Sequence, residues 1–472
     1  MATGNIPSII IVGCGPHFCA RYFEVIQEMI ANGKAAVKLV IDLQSQEDAV
    51  RDFFYRHNFV IDEYLFLPDE MRDAVTPEIL TSLVSATVDT TPVTHILIST
   101  EPKAHKPYIL WAARNNWDIF CDKPLTAFSS LDSANTLQKD YDEIMHAIDG
   151  KSRCVLSCER RIHIGYQYIR NYISRFIQKY KMPITFVDIH FAGGNWVMPD
   201  EFDARENHPF KYGYGVLLHS GYHYIDLLMQ LLGLNKELFP FGIQDFDLQV
   251  QAHSPAQMLH EHLQAFYHEH FPEDNFDNYF TADSLSRHAS FGELDVTVNG
   301  RIMQHEQILT SFCLKMIENS LSIRKNCKSS LNPYLGSGRI RQEHLIIHLG
   351  PLCSIHIQSH PYAKLDKNIT DEDFTVTIMN HPTLVEEESL IELRRADFNG
   401  KDLTNDERFT IKARQEQLRL FFSGESAESS FASHKDSIAL LSRIYTLIKD
   451  QRKASIHSHV YRGKNYEKDI TI

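Results

Sequence analysis

Ile9-Ile10-Ile11-Val12-Gly13-Cys14-Gly15-Pro16-His17-Phe18 runs a continuous apolar stretch straight into a turn that holds two glycines. The apolar stretch predicts a strand buried on both faces, the pattern of a parallel sheet covered by helices. Phe18, Tyr22, Val25, Ile26, Met29 and Ile30 then recur at helical spacing until Asn32-Gly33 ends the pattern. Strand, glycine turn and helix in that order present backbone N–H groups where a dinucleotide pyrophosphate docks. Gly13, Cys14, Gly15, Pro16, His17 and Phe18 are therefore candidate cofactor contacts. Phe18 stands at the third glycine position of the usual fingerprint, so helix and strand must approach each other by other means.

Residues 37–41 read as a second buried strand that ends at Asp42. A carboxylate there can accept hydrogen bonds from both adenosine ribose hydroxyls and repels a 2′-phosphate, which favours NAD over NADP. Helical patterns follow at 46–57 and 76–86, a strand at 94–98, a helix at 104–115 and a strand at 118–121. This alternation predicts an α/β fold with a doubly wound parallel sheet, a Rossmann domain over residues 1–150. Beyond 150 the pattern changes. Strands are expected at 154–157, opening the second domain, and at 184–191, 294–298, 344–349 and 353–358, with Gly350-Pro351 a hairpin turn; helices are expected at 166–179 and 216–232. A C-terminal α/β domain with a mostly antiparallel open sheet is expected over 151–455, interrupted by a polar, His-rich insertion at 251–290, with a tail at 456–472.

Two more segments fall after parallel strands, where open α/β sheets bind ligands: Ser99-Thr100-Glu101-Pro102-Lys103-Ala104-His105 and Cys121-Asp122-Lys123-Pro124-Leu125. Further on comes Gly213-Tyr214-Gly215-Val216-Leu217-Leu218-His219-Ser220-Gly221-Tyr222-His223. In the order and separation of these motifs the sequence resembles the Gfo/Idh/MocA family of glucose-fructose oxidoreductase and inositol dehydrogenase. The resemblance covers the first 235 residues and returns at 433–448. It implies a Rossmann domain followed by an α/β domain whose sheet mediates homo-oligomerisation, as a dimer or tetramer. The family's Glu-Lys-Pro appears as Asp122-Lys123-Pro124, and its paired aspartate and histidine fall on His219 and His223.

Chemistry supports these positions independently. Hydride leaves a carbinol carbon as the hydroxyl proton is removed, so a group titrating near neutrality should touch that oxygen. His223 is the candidate base, Lys123 the group that stabilises the developing alkoxide, and His219, one helical turn before His223, an assistant. Thr100, Glu101, Pro102 and His105 join the cofactor candidates with Lys123. Arg161 and Trp196, beside His219 and His223, are substrate candidates, through hydroxyl binding and stacking. The expected activity is NAD(P)-dependent hydride transfer to or from a sugar, cyclitol or related polyol. Two alternatives stay open: a non-enzymatic NAD and sugar sensor, and a net non-redox reaction that uses tightly held NAD transiently.

With 47 basic against 61 acidic residues and a formal charge of -14, the chain repels nucleic-acid phosphates and anionic lipid, so neither is an expected partner. No stretch is long and apolar enough for a membrane span. The 8 cysteines show no paired metal spacing and fit buried thiols in a reducing, cytoplasmic setting. His219, His223 and Asp226 share a helical face, and His260, His262, His268 and His270 cluster, yet no His-Glu-x-x-His occurs. No metal is expected.

Overall fold

The computed structural model describes residues 6–458 except 195, 207, 240–244, 305, 319, 323–339, 365–368, 399–408 and 426–427. Gly336-Ser337-Gly338-Arg339, which reads as a turn in the sequence, Cys327 and the tail beyond 458 lie outside the described residues.

Six parallel strands form the first sheet: β1 (Ser8–Val12), β2 (Ala36–Leu43), β3 (Glu63–Leu67), β4 (His95–Ile98), β5 (Asp118–Asp122) and β6 (Cys154–Ser157). Their order, β3-β2-β1-β4-β5-β6, puts the topological switch between β1 and β4. Along β1 the period of two is explicit. Ile10 and Val12 enter the core on one face, while Ile9 and Ile11 enter the core on the other. The helices Pro77–Thr87, His105–Arg114 and Thr136–Ile148 supply the first core. The second is closed by Phe23–Ala31, Glu47–Arg56 and, from far along the chain, Phe409–Ser423, which contributes Leu418, Phe421 and Phe422.

Three sequence expectations are corrected here. The first helix is two, Pro16–Arg21 and Phe23–Ala31, divided at Tyr22. The Tyr22 hydroxyl lies 3.0 Å from Asp122 Oδ1 and 2.8 Å from Ser157 Oγ, tying the break to the ends of β5 and β6. The strand β3 was not anticipated; as an edge strand it is mostly half-buried and carries a weak apolar signal. Residues 154–157, expected to open the second domain, pair parallel to β5, so the first sheet extends past residue 150.

Eight further strands form the second sheet, in the order β14-β13-β12-β11-β7-β10-β9-β8. They are β7 (Phe186–Ala192), β8 (Asp245–His253), β9 (Asp295–Gln304), β10 (Gln307–Ile317), β11 (Gln342–Leu349), β12 (Cys353–Lys364), β13 (Ile369–Asn380) and β14 (Leu390–Arg394). All neighbours are antiparallel except β7 and β10. One face is packed by Val187, Ile189, Leu345, Ile347 and Ile355 against the helices Ile164–Tyr180 and Tyr222–Gly233. The insertion is a helical excursion between β8 and β9, made of Pro255–Met258, Glu261–His270 and Ala282–His288 around Leu259, Tyr267, Phe276 and Phe291. Its histidines meet local partners: His268 pairs with Asp277 at 2.6 Å and His288 with Asp203 at 2.9 Å, and the rings of His260 and His262 lie edge to face with centroids 5.6 Å apart.

The glycine turn joins the two halves of the parallel sheet. Gly13 has φ +83°, and a Cβ there would meet the Ser99 carbonyl oxygen at 2.6 Å. Around Gly15 there is open space within 4 Å. Gly13→Ala is therefore expected to lose about 1–3 kcal/mol of stability, whereas Gly15→Ala stays within about 0.5 kcal/mol of the parent. Urea denaturation of both variants measures the contrast.

Candidate active site

At the carboxyl ends of the parallel strands lies a cavity of about 530 Å³, within the ordinary range for small-ligand sites. Gly13, Gly15, Pro16, His17, Asp42, Thr100, Glu101, Pro102 and Lys123 line it from the first domain; His219 and His223 line it from the second. Five sequence candidates are elsewhere. Phe18 is fully buried in the core beneath the turn, edge-on to Phe23 and Phe54; this apolar packing supplies the close approach that a third glycine would otherwise allow. The Cys14 side chain is buried, and its N–H donates to Asp42 Oδ2 at 2.7 Å. His105 is buried, with its ring nitrogens 3.0 Å from the Pro124 carbonyl and 3.1 Å from that of Thr100, bracing both loops from behind. Trp196 packs at the edge of the insertion core. Arg161 is locked to Asp226 through two contacts of 2.8 and 2.6 Å.

That last pair also removes Asp226 from the face it was expected to share with the two histidines. Asp226 is fully buried and further held by His434 at 3.0 Å, Ser437 at 2.9 Å and Gln230 at 2.7 Å. Burial opposes its charge, but His434 and Arg161 hold the carboxyl well below the usual range. Asp226→Asn is expected to cost about 3–5 kcal/mol, because it strands the Arg161 charge in the interior; thermal unfolding with and without the substitution is the check.

Asp42 braces the glycine turn. Besides Cys14, it accepts from the Leu43 N–H at 2.8 Å. Burial raises its pKa against those two hydrogen bonds, and a carboxylate with two donors keeps lone pairs for more. The Ser99 hydroxyl, on the same wall, is buried without a hydrogen-bond partner in the structure.

The helix that carries the two histidines begins as a π turn, Leu217–Gly221, before continuing as Tyr222–Gly233. His219 and His223 are thus not separated by a plain α-helical turn, and the wide turn loosens the ladder where the Lys123 ammonium donates to the His219 carbonyl. The His219 ring is anchored by Nε2 at 3.1 Å from the Pro209 carbonyl. Burial, then Arg205, pushes its pKa well below the ordinary value, so it meets the cavity as a neutral imidazole.

His223 is also neutral: burial first, then Lys123, Arg160 and Arg414, lowers its pKa strongly. Its Nε2 lies 3.0 Å from Glu159 Oε2, and its Nδ1 3.5 Å from Cys158 Sγ. The same Nε2 lies 3.4 Å from Arg414 Nη2, so Glu159 and Arg414 meet the ring at one atom. Burial likewise lowers the pKa of Lys123, with Asp122 opposing and Arg414 reinforcing the shift. Sequence reasoning missed Glu159, Arg414 and Tyr214. Glu159 follows β6 directly, so the strand-end rule finds it once that strand is assigned to the parallel sheet. Arg414 arrives on the distant helix Phe409–Ser423 with no local motif to announce it.

No protein-family model matches the sequence, and no curated protein matches it. Solved structures do match in fold. An oxidoreductase from Agrobacterium radiobacter in complex with NAD+, L-tartaric acid and magnesium aligns with TM-score 0.55 at 11% identity, over 95% of this chain and 99% of its own. The chain has the fold of these oxidoreductases. Levoglucosan dehydrogenase in complex with NADH and levoglucosan aligns with TM-score 0.54 at 11% identity, over 95% and 97% of the two chains. Aldose-aldose oxidoreductase from Caulobacter crescentus complexed with glycerol gives 0.52 at 9%, over 94% and 98%. These neighbours are of the Gfo/Idh/MocA type that the motifs resemble. Among the described residues no helix is long and apolar enough to cross a membrane.

Glu101 faces Tyr214, whose hydroxyl donates to Glu101 Oε1. Burial pushes the Glu101 carboxyl up to about 7, against Tyr214 and Lys103. Because the folded state holds this proton more tightly than an ordinary carboxyl near 4.5 does, its contribution to stability is present below pH 4.5 and lost as pH rises through 7. Glu101→Gln is expected to remove that part of the decline; melting temperatures across this pH window, compared with the parent, measure it.

Proposed function

We propose that the chain is an NAD-dependent oxidoreductase that transfers a hydride between nicotinamide and a carbinol or carbonyl carbon of a sugar, cyclitol or related polyol. The supporting observation is one cavity walled by the glycine turn, Asp42, Lys123 and His223, in a fold whose neighbours were solved with NAD+ or NADH. The residues present fit the cofactor. Gly15 leaves open a cradle that a side chain would fill, and the Ser99 hydroxyl lacks a partner. Gly13, Gly15 and Pro16 would hold the pyrophosphate at the helix N-terminus. Asp42 would hold the adenosine ribose and disfavour NADP.

Bound NAD supplies the hydride acceptor or donor. The chain's residues handle the proton. Lys123, buried and aimed at the π turn, stabilises negative charge on the reacting oxygen. His223 is neutral at physiological pH, the state a proton acceptor needs, and Glu159 orients its ring. His219, held by Pro209, orients the substrate.

We further propose a homo-oligomer, dimer or tetramer, through the open face of the second sheet, and a cytoplasmic location. Half-exposed Phe186, His190, His344 and Ile346 occupy adjacent strands on that face. The free cysteines among the described residues suit a reducing compartment.

Lys123→Ala and His223→Ala are each expected to lower turnover by a factor of about 100 or more, with NAD affinity retained in the second. Nicotinamide absorbance with a polyol and keto-sugar panel, beside calorimetric NAD titration, measures both. Native turnover in both variants overturns the assignment.

A further inference from the structure

Where the helical excursion returns to the sheet, just before β9, Gly292 and Glu293 run against the start of the helix that carries the two histidines. The backbones touch. A Cβ on Gly215 would collide with the Glu293 carbonyl oxygen, and one on Gly292 with the carbonyl of Tyr214. The Val216 N–H donates to the Glu293 carbonyl at 2.9 Å, and the Leu217 N–H donates to Glu293 Oε1 at 2.9 Å. A second donor, the Tyr445 hydroxyl on the helix Lys435–Ser458, meets the same Oε1 at 2.9 Å. Phe291 and Leu294, on either side, are buried in the core of the excursion and anchor the pair there.

The first N–H groups of a helix have no acceptor within it, and the positive end they form favours a carboxylate. Val216, at the head of this helix, offers no capping side chain. Glu293, 76 residues further along the chain, supplies the cap instead. It is fully buried, and the burial that raises its pKa is opposed by the Leu217 N–H, by Tyr445 and by the Arg452 guanidinium. What it caps is the wide turn Leu217–Gly221. At the far end a Cβ on Gly221 would press into Met316 of β10, so the turn is fixed at both ends. Between them sits the His219 carbonyl that accepts from Lys123.

We propose that Glu293 is a positioning residue of the oxidoreductase: it holds the π turn in place and, through the His219 carbonyl, places the Lys123 ammonium at the reacting oxygen. The proposal rests on the reading of Lys123 as the group beside that oxygen. Glu293 does not line the cavity, so it acts through the turn. An ammonium that donates to a carbonyl is stabilised in its charged form. A turn that drifts away from Lys123 therefore makes that amine easier to deprotonate.

The test compares the parent with Glu293→Ala and with the milder Glu293→Gln, which keeps an acceptor oxygen for the Leu217 N–H and loses the charge. Turnover across the polyol and keto-sugar panel, followed by nicotinamide absorbance, is expected to fall roughly tenfold in Glu293→Ala and less in Glu293→Gln. Calorimetric NAD affinity stays within about twofold of the parent in both, because the glycine turn and Asp42 belong to the parallel sheet. The alkaline limb of the kcat–pH profile moves to lower pH in both variants. Amide hydrogen exchange at 216–223 quickens by roughly tenfold or more in Glu293→Ala, while β1 and the helix His105–Arg114 keep the parent's protection. A merely structural role would instead loosen the whole chain and leave the pH profile in place. An unshifted alkaline limb in a folded, active variant overturns the proposal, as does protection lost evenly along the chain. Should Glu293→Ala fail to fold, Glu293→Gln decides by the same criteria. The two readings fail separately: a parent that turns over nothing in the panel sinks the oxidoreductase, and the exchange pattern alone then decides whether Glu293 holds the turn.

Discussion

The carboxylate of Glu159 holds together parts of the molecule that the chain keeps far apart. It sits at the end of β6, accepts from Arg160 beside it, reaches Arg414 on the helix Phe409–Ser423, and faces His223 on the helix Tyr222–Gly233. An ionised carboxylate buried this deeply is tolerated only when its lone pairs are met by charged donors. Meeting them forces three elements to converge at one point, and that point is the wall of the cavity.

This convergence adds to the burial that keeps His223 neutral. Imidazolium at His223 would add a charge to a corner already carrying Arg160, Arg414 and Lys123, and burial denies it water. Glu159 does not reverse this, because two guanidiniums already claim it. The same carboxylate therefore orients the ring without protonating it. Glu101, across the cavity, is in the opposite condition: burial raises its carboxyl to about 7, and the Tyr214 hydroxyl donates to it.

How much of this the sequence disclosed depended on how far the relevant physics extends along the chain. β1 and its glycine turn were legible because a strand covered on both faces is apolar at every position and the turn demands glycine at φ +83°. Lys123, His219 and His223 were legible as candidates because they follow strands or share a helix, and the structure brings all three to one cavity. What failed were inferences about direction and partner. Arg161 lies two residues beyond Glu159 and points the other way, into Asp226. Phe18 and Cys14 belong to the glycine turn but turn inward. The π turn, the edge strand β3 and the assignment of β6 depend on neighbours distant in sequence, to which local periodicity is blind. The contribution of Arg414 is the extreme case.

The helix Phe409–Ser423 has a bearing on synthesis as well as on architecture. A ribosome releases the Rossmann segment first, with the groove that should receive Leu418, Phe421 and Phe422 still bare and Glu159 still waiting for its distant guanidinium. The parallel-sheet half is thus not an autonomous module stitched to a second one. It is completed by residues translated near the end, so a nascent or prematurely terminated polypeptide lacks a finished pocket and exposes a greasy surface that chaperones or proteases can recognise.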